Sequence, residues 1–287
     1  MNMINKKKIF FSKMHGLGND FVVIEKINQE VSCIKKIIKI FSNRYTGIGF
    51  DQLLLVERSS NKKFDFYYRI FNCDGSEVYQ CGNGARCFAY FVYLKKLTYK
   101  KKIFIKTYNT EMFIHLFNKN NIVVNMGKPN LYFKQFPLFC SKQEDVYNIE
   151  IDNKIIKFGL VSIGNLHCVI IVKDIKTCSV NKIGSFLNAQ HTLFPNGINV
   201  NFIEIISNKS ILLRVYERGV GETRACGSGA CASVVFGITQ KLLTSTVSVV
   251  LLGGSLEVMW SGYNHFVYMN GPAEHIYDGY IYIDKYI

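Results

Sequence analysis

Two short segments carry the residue types and spacing that could do chemistry. Arg69 to Ala85 reads RIFNCDGSEVYQCGNGA, and Arg214 to Ala230 reads RVYERGVGETRACGSGA, so matched positions are displaced throughout by 145 residues. Each copy ends in Cys-Gly-x-Gly-Ala: Cys81-Gly82-Asn83-Gly84-Ala85 and Cys226-Gly227-Ser228-Gly229-Ala230. Glycines beside a thiol let backbone approach a ligand closely. If a helix begins there, its unpaired N–H groups and partial positive charge form a carboxylate seat. The same charge is expected to lower the neighbouring thiol's pKa. A thiolate beside a bound carboxylate can remove the proton on the adjacent α-carbon. With two such thiols on opposite sides, one removes hydrogen and the other returns it, inverting the centre with no redox change and no cofactor.

The elements that must position these groups are mostly strands. Short β-branched or aromatic runs occur at 20–25, 52–57, 64–71 and 122–126, and again at 159–162, 168–172, 200–206, 211–216, 247–252 and 255–260. Ile34, Ile37, Ile38 and Phe41, with Lys35, Lys36 and Lys39 between them, predict an amphipathic surface helix. The residues after each glycine motif, 86–96 and 231–241, are apolar on nearly all sides, which predicts a buried helix. Each half is therefore expected to be a curled, mostly antiparallel sheet around one central helix, an α+β class with two pseudosymmetric domains.

The repeat extends beyond the two blocks. Gly18-Asn19 and Gly164-Asn165 precede their cysteines by nearly equal distances, as do Gln52 and Asn199; Asn72 and Glu217 each lie nine residues before theirs. Glu217-Arg218 takes the place of Asn72-Cys73, one acid and one base, which points to recognition of a zwitterionic group. His167, two residues after Asn165, is expected to tune a thiol as a charge. Cys33, Cys140, Cys168 and Cys178 lack the glycine setting and read as packing residues, Cys87 and Cys231 as helix core, and Cys73 as a bystander.

At 287 residues two domains are expected, with crossings at Gly127-Lys128-Pro129 and Gly271-Pro272. Lysine and arginine outnumber acids by 35 to 21. The excess is scattered, as at Lys100-Lys101-Lys102, with no basic face paired to a stacking motif, so no nucleic-acid partner is expected. Nine cysteines, an odd number without a secretory signal, read as reduced thiols in a cytoplasm. No spacing of cysteine or histidine suits a metal, and no apolar run approaches the roughly 18 residues needed to cross a bilayer.

These residues make the chain resemble the diaminopimelate epimerase family along nearly its whole length. The carrying segments are 13–21, Gly49-Phe50-Asp51-Gln52, 69–72 with 74–77, 80–88, Gly164-Asn165 with His167-Cys168, 214–219, 221–223 and 225–231. The resemblance implies a cofactor-independent isomerase interconverting LL- and meso-2,6-diaminopimelate for lysine and peptidoglycan precursors. It implies that Cys81 and Cys226 are the acid/base pair, with Gly82, Asn83, Gly227 and Ser228 on the reacting carboxylate. Asn19, Gln52, Asn72, Asn165, Asn199, Glu217 and Arg218 would line the cleft, and His167 and Glu217 would influence thiol ionisation. Residues 1–126 with 272–287 would form one half and 127–271 the other, with the active site in the cleft between them and a homodimer as partner state. A proline racemase or hydroxyproline epimerase is the alternative, also built on paired cysteines. Leu166 stands where the family commonly has proline, a residue that would restrict the backbone there.

Overall fold

The structure, a computed structural model, describes residues 8–31, 34–78, 80–132 and 145–283. The chain divides into two compact units, residues 1–124 with 271–287 and residues 125–270. Gly127-Lys128-Pro129 and Gly271-Pro272 lie next to these divisions.

The first unit contains β1 (Lys8–Gly16), β2 (Asn19–Glu25), α1 (Ile34–Phe41), β3 (Gln52–Arg58), β4 (Phe66–Asn72), β5 (Glu77–Val78), α2 (Gly82–Leu94), β6 (Lys102–Lys106), β7 (Glu111–Asn118), β8 (Asn121–Asn125) and, from the chain's end, β18 (Glu274–Tyr282). Its strands pair in the order β18-β1-β2-β3-β4-β6-β7-β8, with β5 as a short hairpin partner of β4. The second unit contains β9 (Tyr147–Ile151), β10 (Lys154–Ser162), β11 (Leu166–Ile171), α3 (Val180–Asn188), β12 (Asn199–Ser207), β13 (Ser210–Glu217), β14 (Gly221–Thr223), α4 (Gly227–Thr239), β15 (Thr246–Leu251), β16 (Gly254–Met259) and β17 (Tyr268–Gly271). Its order is β9-β10-β11-β12-β13-β15-β16-β17, with β14 on β13. The two orders correspond strand for strand, and β18 fills in the first unit the place that β9 fills in the second.

Within the two units, β2–β3 and β4–β6, and their counterparts β11–β12 and β13–β15, pair in parallel. Parallel neighbours need a crossover, usually helical, and each helix lies in one of these four. Ile37, Ile38 and Phe41 of α1 pack with Val22, Ile24, Leu53, Leu55 and Phe71 on one face of the first sheet. On the other face, Tyr68 and Phe66 meet Phe88 of α2, with ring centroids at 4.7 and 5.9 Å. Successive strand residues point to opposite faces, so β2 and β3 are buried on both sides and read as unbroken apolar runs. The second unit repeats the plan: Val180 and Leu187 of α3 pack with Cys168, Ile170, Val200 and Phe202. Gly159 of β10 leaves the space in which the Phe236 ring of α4 lies, since a Cβ there would stand 2.0 Å from it.

The amphipathic helix at 34–41 and both buried helices occur where periodicity predicts them, although α2 and α4 start at Gly82 and Gly227, before the apolar runs. Sequence reading missed α3 and the strands β1, β6, β7, β9, β17 and β18, as well as the two short hairpin strands. No helix among the described residues is long and apolar enough to cross a membrane.

Candidate active site

Each cysteine of the repeat is the N-cap of its unit's inner helix. Cys81 caps α2 with φ −148° and ψ 107°, and Cys226 caps α4 with φ −128° and ψ 110°. Neither helix carries an acidic residue in its first turn. The positive end of each dipole is therefore not neutralised from within the helix and can serve an anion. Cys81 Sγ accepts the amide of Gly84 at 3.3 Å, the bond an N-cap makes to the third helical residue. A thiolate fills that role better than a thiol. Cys226 Sγ lies 3.6 Å from Ser228 Oγ.

The hairpins that deliver the cysteines are fastened identically. Arg69 grips Glu77 through Nε (2.7 Å) and Nη2 (2.8 Å), and Arg214 grips Glu222 at 2.6 and 2.9 Å. Two parallel charge-assisted bonds fix geometry as well as add energy. Both pairs recur at the 145-residue shift, the signal that could have found them.

The expected lowering of the thiol pKa does not hold for Cys226. Only 5% of it is exposed, and burial pushes the thiol well above its usual value, with the Glu217 carboxylate adding to the rise and Ser228 opposing it. Desolvation of a thiolate outweighs the helix end here. Glu217, the last residue of β13, accepts from Thr223 Oγ1 at 2.5 Å. Beside Cys226 its carboxylate favours the protonated thiol and offers a place for that proton.

His167 is also corrected. It is fully buried, and burial lowers its pKa to about 3, with Asn201 opposing the shift, so its ring is neutral rather than a tuning charge. Its Nε2 lies 3.1 Å from Asn165 Oδ1, and its Nδ1 lies 3.2 Å from Asn201 Nδ2. Asn165 Nδ2 is 3.4 Å from Ser228 Oγ. In the first unit the equivalent link joins Asn19 Oδ1 and Asn83 Nδ2, also at 3.4 Å. Both asparagines follow a left-handed glycine, Gly18 and Gly164, each with φ 85°. The second hairpin closes with Leu166 as the first residue of β11, without a proline.

Gln52 Nε2 donates to Asn72 Oδ1 at 2.9 Å, which brings that pair together. The other oxygen of the pair, Gln52 Oε1, is buried with no partner among the described residues. Asn199 spends both ends of its amide on backbone: it donates to Leu166 O (3.2 Å) and accepts from Arg218 N (3.0 Å). The Arg218 guanidinium donates to Asn196 O at 2.8 Å. Cys73 donates to the carbonyl of Phe50 at 2.9 Å, and burial raises its pKa. Burial likewise holds Cys87 and Cys168 protonated. Cys33 and Cys140 lie outside the described residues.

Three residues not singled out from the sequence matter to this geometry. Arg86, fully buried on α2, donates to Asn83 Oδ1 (3.0 Å) and Pro272 O (2.9 Å). Tyr68 and Asn201 place oxygens 2.4 Å from where a Cβ would stand on Gly84 and Gly229. A side chain at the fourth position of either motif would have to displace that oxygen.

A duplicated α+β unit with one inner helix in each half defines a fold class that solved structures share. A hydroxyproline epimerase from Agrobacterium vitis matches with a TM-score of 0.73, over 98% of this chain and 94% of that one, at 11% identity. A phenazine biosynthesis protein of the PhzF family from Bacillus anthracis matches with a TM-score of 0.68, over 96% and 99%, at 16% identity. Within that class the chain belongs to the diaminopimelate epimerase family, whose model matches residues 11–132 and 159–276. It is 54% identical over 279 residues to the diaminopimelate epimerase of Buchnera aphidicola subsp. Baizongia pistaciae, covering 96% of each chain. It is also 54% identical to that of Buchnera aphidicola subsp. Acyrthosiphon pisum strain 5A, covering 97% of this chain and 98% of the relative.

Proposed function

We propose that this protein interconverts LL- and meso-2,6-diaminopimelate, an isomerase reaction of lysine and peptidoglycan precursor synthesis, by two-base proton transfer. Cys81 and Cys226 act on the two faces of one α-carbon. In each direction one enters as thiolate and takes the α-proton, while the other enters as thiol and gives its proton to the opposite face. The cysteines exchange protonation states, so atoms and charge balance without a cofactor or metal. Negative charge that develops on the substrate carboxylate is met by the amides that open α2 and α4, each donor contributing on the order of 3 kcal/mol. Glu217 is the group that exchanges a proton with Cys226 between turnovers. Asn19, Gln52, Asn72, Asn165, Glu217 and Arg218 recognise the distal amino-acid end, and Asn199 acts by holding the Arg218 backbone.

The observation that carries this reading is the pair of capping cysteines on equivalent helices, in a chain 54% identical to diaminopimelate epimerases over nearly its full length. A proline racemase or hydroxyproline epimerase activity is not favoured, because those structures match only at the level of fold. Incubation with LL-diaminopimelate in deuterated water tests the reaction. Deuterium is expected at the inverted α-carbon without pyridoxal phosphate or metal; folded, reduced protein that exchanges nothing would refute it. Work in a homodimer and in the cytoplasm fits the same reading, and sedimentation at assay concentration tests the first.

A further inference from the structure

We infer that Asn201 is a positioning residue for Cys226: through His167 and Asn165 it sets the direction of a hydrogen-bond chain that makes Ser228 a donor to the Cys226 sulfur. Asn201 stands on β12 two residues beyond Asn199, where the first unit has Leu54 two residues beyond Gln52. It is fully buried, and its Oδ1 has no partner among the described residues. Leucine would fill the same place without stranding a polar atom.

The direction follows from one backbone carbonyl. Asn201 Nδ2 lies 2.8 Å from Cys168 O, and a carbonyl oxygen only accepts, so that end of the amide is the NH2. Its second hydrogen then points to His167 Nδ1, 3.2 Å away, which must accept. The ring carries its hydrogen on Nε2 and donates to Asn165 Oδ1 at 3.1 Å. This turns the Asn165 NH2 toward Ser228 Oγ at 3.4 Å. Ser228 accepts there and keeps its own hydrogen for Cys226 Sγ at 3.6 Å, a bond that favours the thiolate. Glu217, on β13, is the ionisable group that faces Cys226 with the opposite effect.

The first unit runs its chain the other way. Arg86, which can only donate, gives to Asn83 Oδ1 (3.0 Å); Asn83 Nδ2 gives to Asn19 Oδ1 (3.4 Å); Asn19 Nδ2 gives to Asp51 Oδ2 (2.9 Å). That chain ends on a carboxylate rather than on the thiol. Two thiols in equivalent N-cap positions are thereby given different partners, and Asn201 and His167 are the members of the second chain whose counterparts in the first unit, Leu54 and Phe21, are apolar.

The inference rests on Cys226 being one of the two acid–base thiols, so its test avoids turnover. Long-range 1H–15N spectra of histidine-labelled protein report the His167 tautomer, and iodoacetamide labelling against pH with peptide mass mapping reports the Cys226 titration midpoint. The native protein is expected to show a neutral ring with hydrogen on Nε2. Asn201→Asp presents an acceptor and should move that hydrogen to Nδ1. Asn201→Leu, which adds no charge, should raise the Cys226 midpoint by roughly one pH unit, a tenfold loss of thiolate at a given pH. In a Ser228→Ala background Asn201→Leu should add nothing further. A native ring with hydrogen on Nδ1, or an Asn201→Leu shift undiminished in the Ser228→Ala background, would overturn the proposal. Epimerisation that survives Cys226→Ala would instead sink the proposed reaction and leave this network standing.

Discussion

At the scale of single residues, burial rather than the helix end decides the state of several groups. Cys81→Ala and Cys226→Ala are each expected to abolish epimerisation of diaminopimelate, whereas Cys73→Ala, which loses only a thiol bonded to backbone, should retain it. His167 offers a separate test through stability. Its folded pKa, about 3, lies below the unfolded value near 6.5. Between those values the unfolded chain binds the extra proton, so stability is present above pH 6.5 and is lost as pH falls toward 3. His167→Phe, the residue type that Phe21 places at the equivalent register, should remove that loss. Unfolding free energies from urea titrations between pH 6 and 4 should fall more steeply for the native protein, by about 1.4 kcal/mol per pH unit.

At the scale of elements, the parts that aim the cysteines tolerate little change. Gly84→Ala would drive a Cβ to 2.4 Å from the Tyr68 hydroxyl, and Gly229→Ala to the same distance from Asn201 Oδ1. Each is expected to cost about 1–3 kcal/mol of stability by overpacking, read from urea unfolding. Glu222→Gln keeps the size of the hairpin clasp but removes its charge, and should cost about 1–2 kcal/mol in the same measurement. Both clasps lie in the sequence as Arg69/Glu77 and Arg214/Glu222, yet an arginine and a glutamate eight residues apart are ordinary surface residues until a hairpin pairs them. The central helices were legible because their apolar residues leave no polar face. Helix α3 was not, since Val180, Gly184 and Leu187 face inward from a short, polar-looking stretch.

At the scale of the whole molecule, duplication with one displaced strand explains the order of the chain. In the second unit β9 precedes β10 and pairs with it; in the first unit the corresponding strand arrives last, as β18. It runs antiparallel to β1 from Lys8 to His15, and its lead-in is held by the Arg86 bond to Pro272 O. A chain ending at Ala273 would leave β1 with an open edge over that length, a template for aggregation. Loss of soluble protein and of activity is the expected outcome, seen by size-exclusion chromatography, with soluble active protein counting against this role.

The sequence by itself determined the duplication, the two thiols, their glycine setting and the family, because these depend on residue identity at a constant shift. Only the tertiary structure decided the electrostatic state of the site. Burial is a sum over neighbours distant in the chain, and it raised the Cys226 pKa and neutralised His167 against what the helix end and the residue type suggested. The polarity of the hydrogen-bond chains was hidden for the same reason: Asn201 acquires a direction only when folding sets it between the Cys168 carbonyl and the His167 ring.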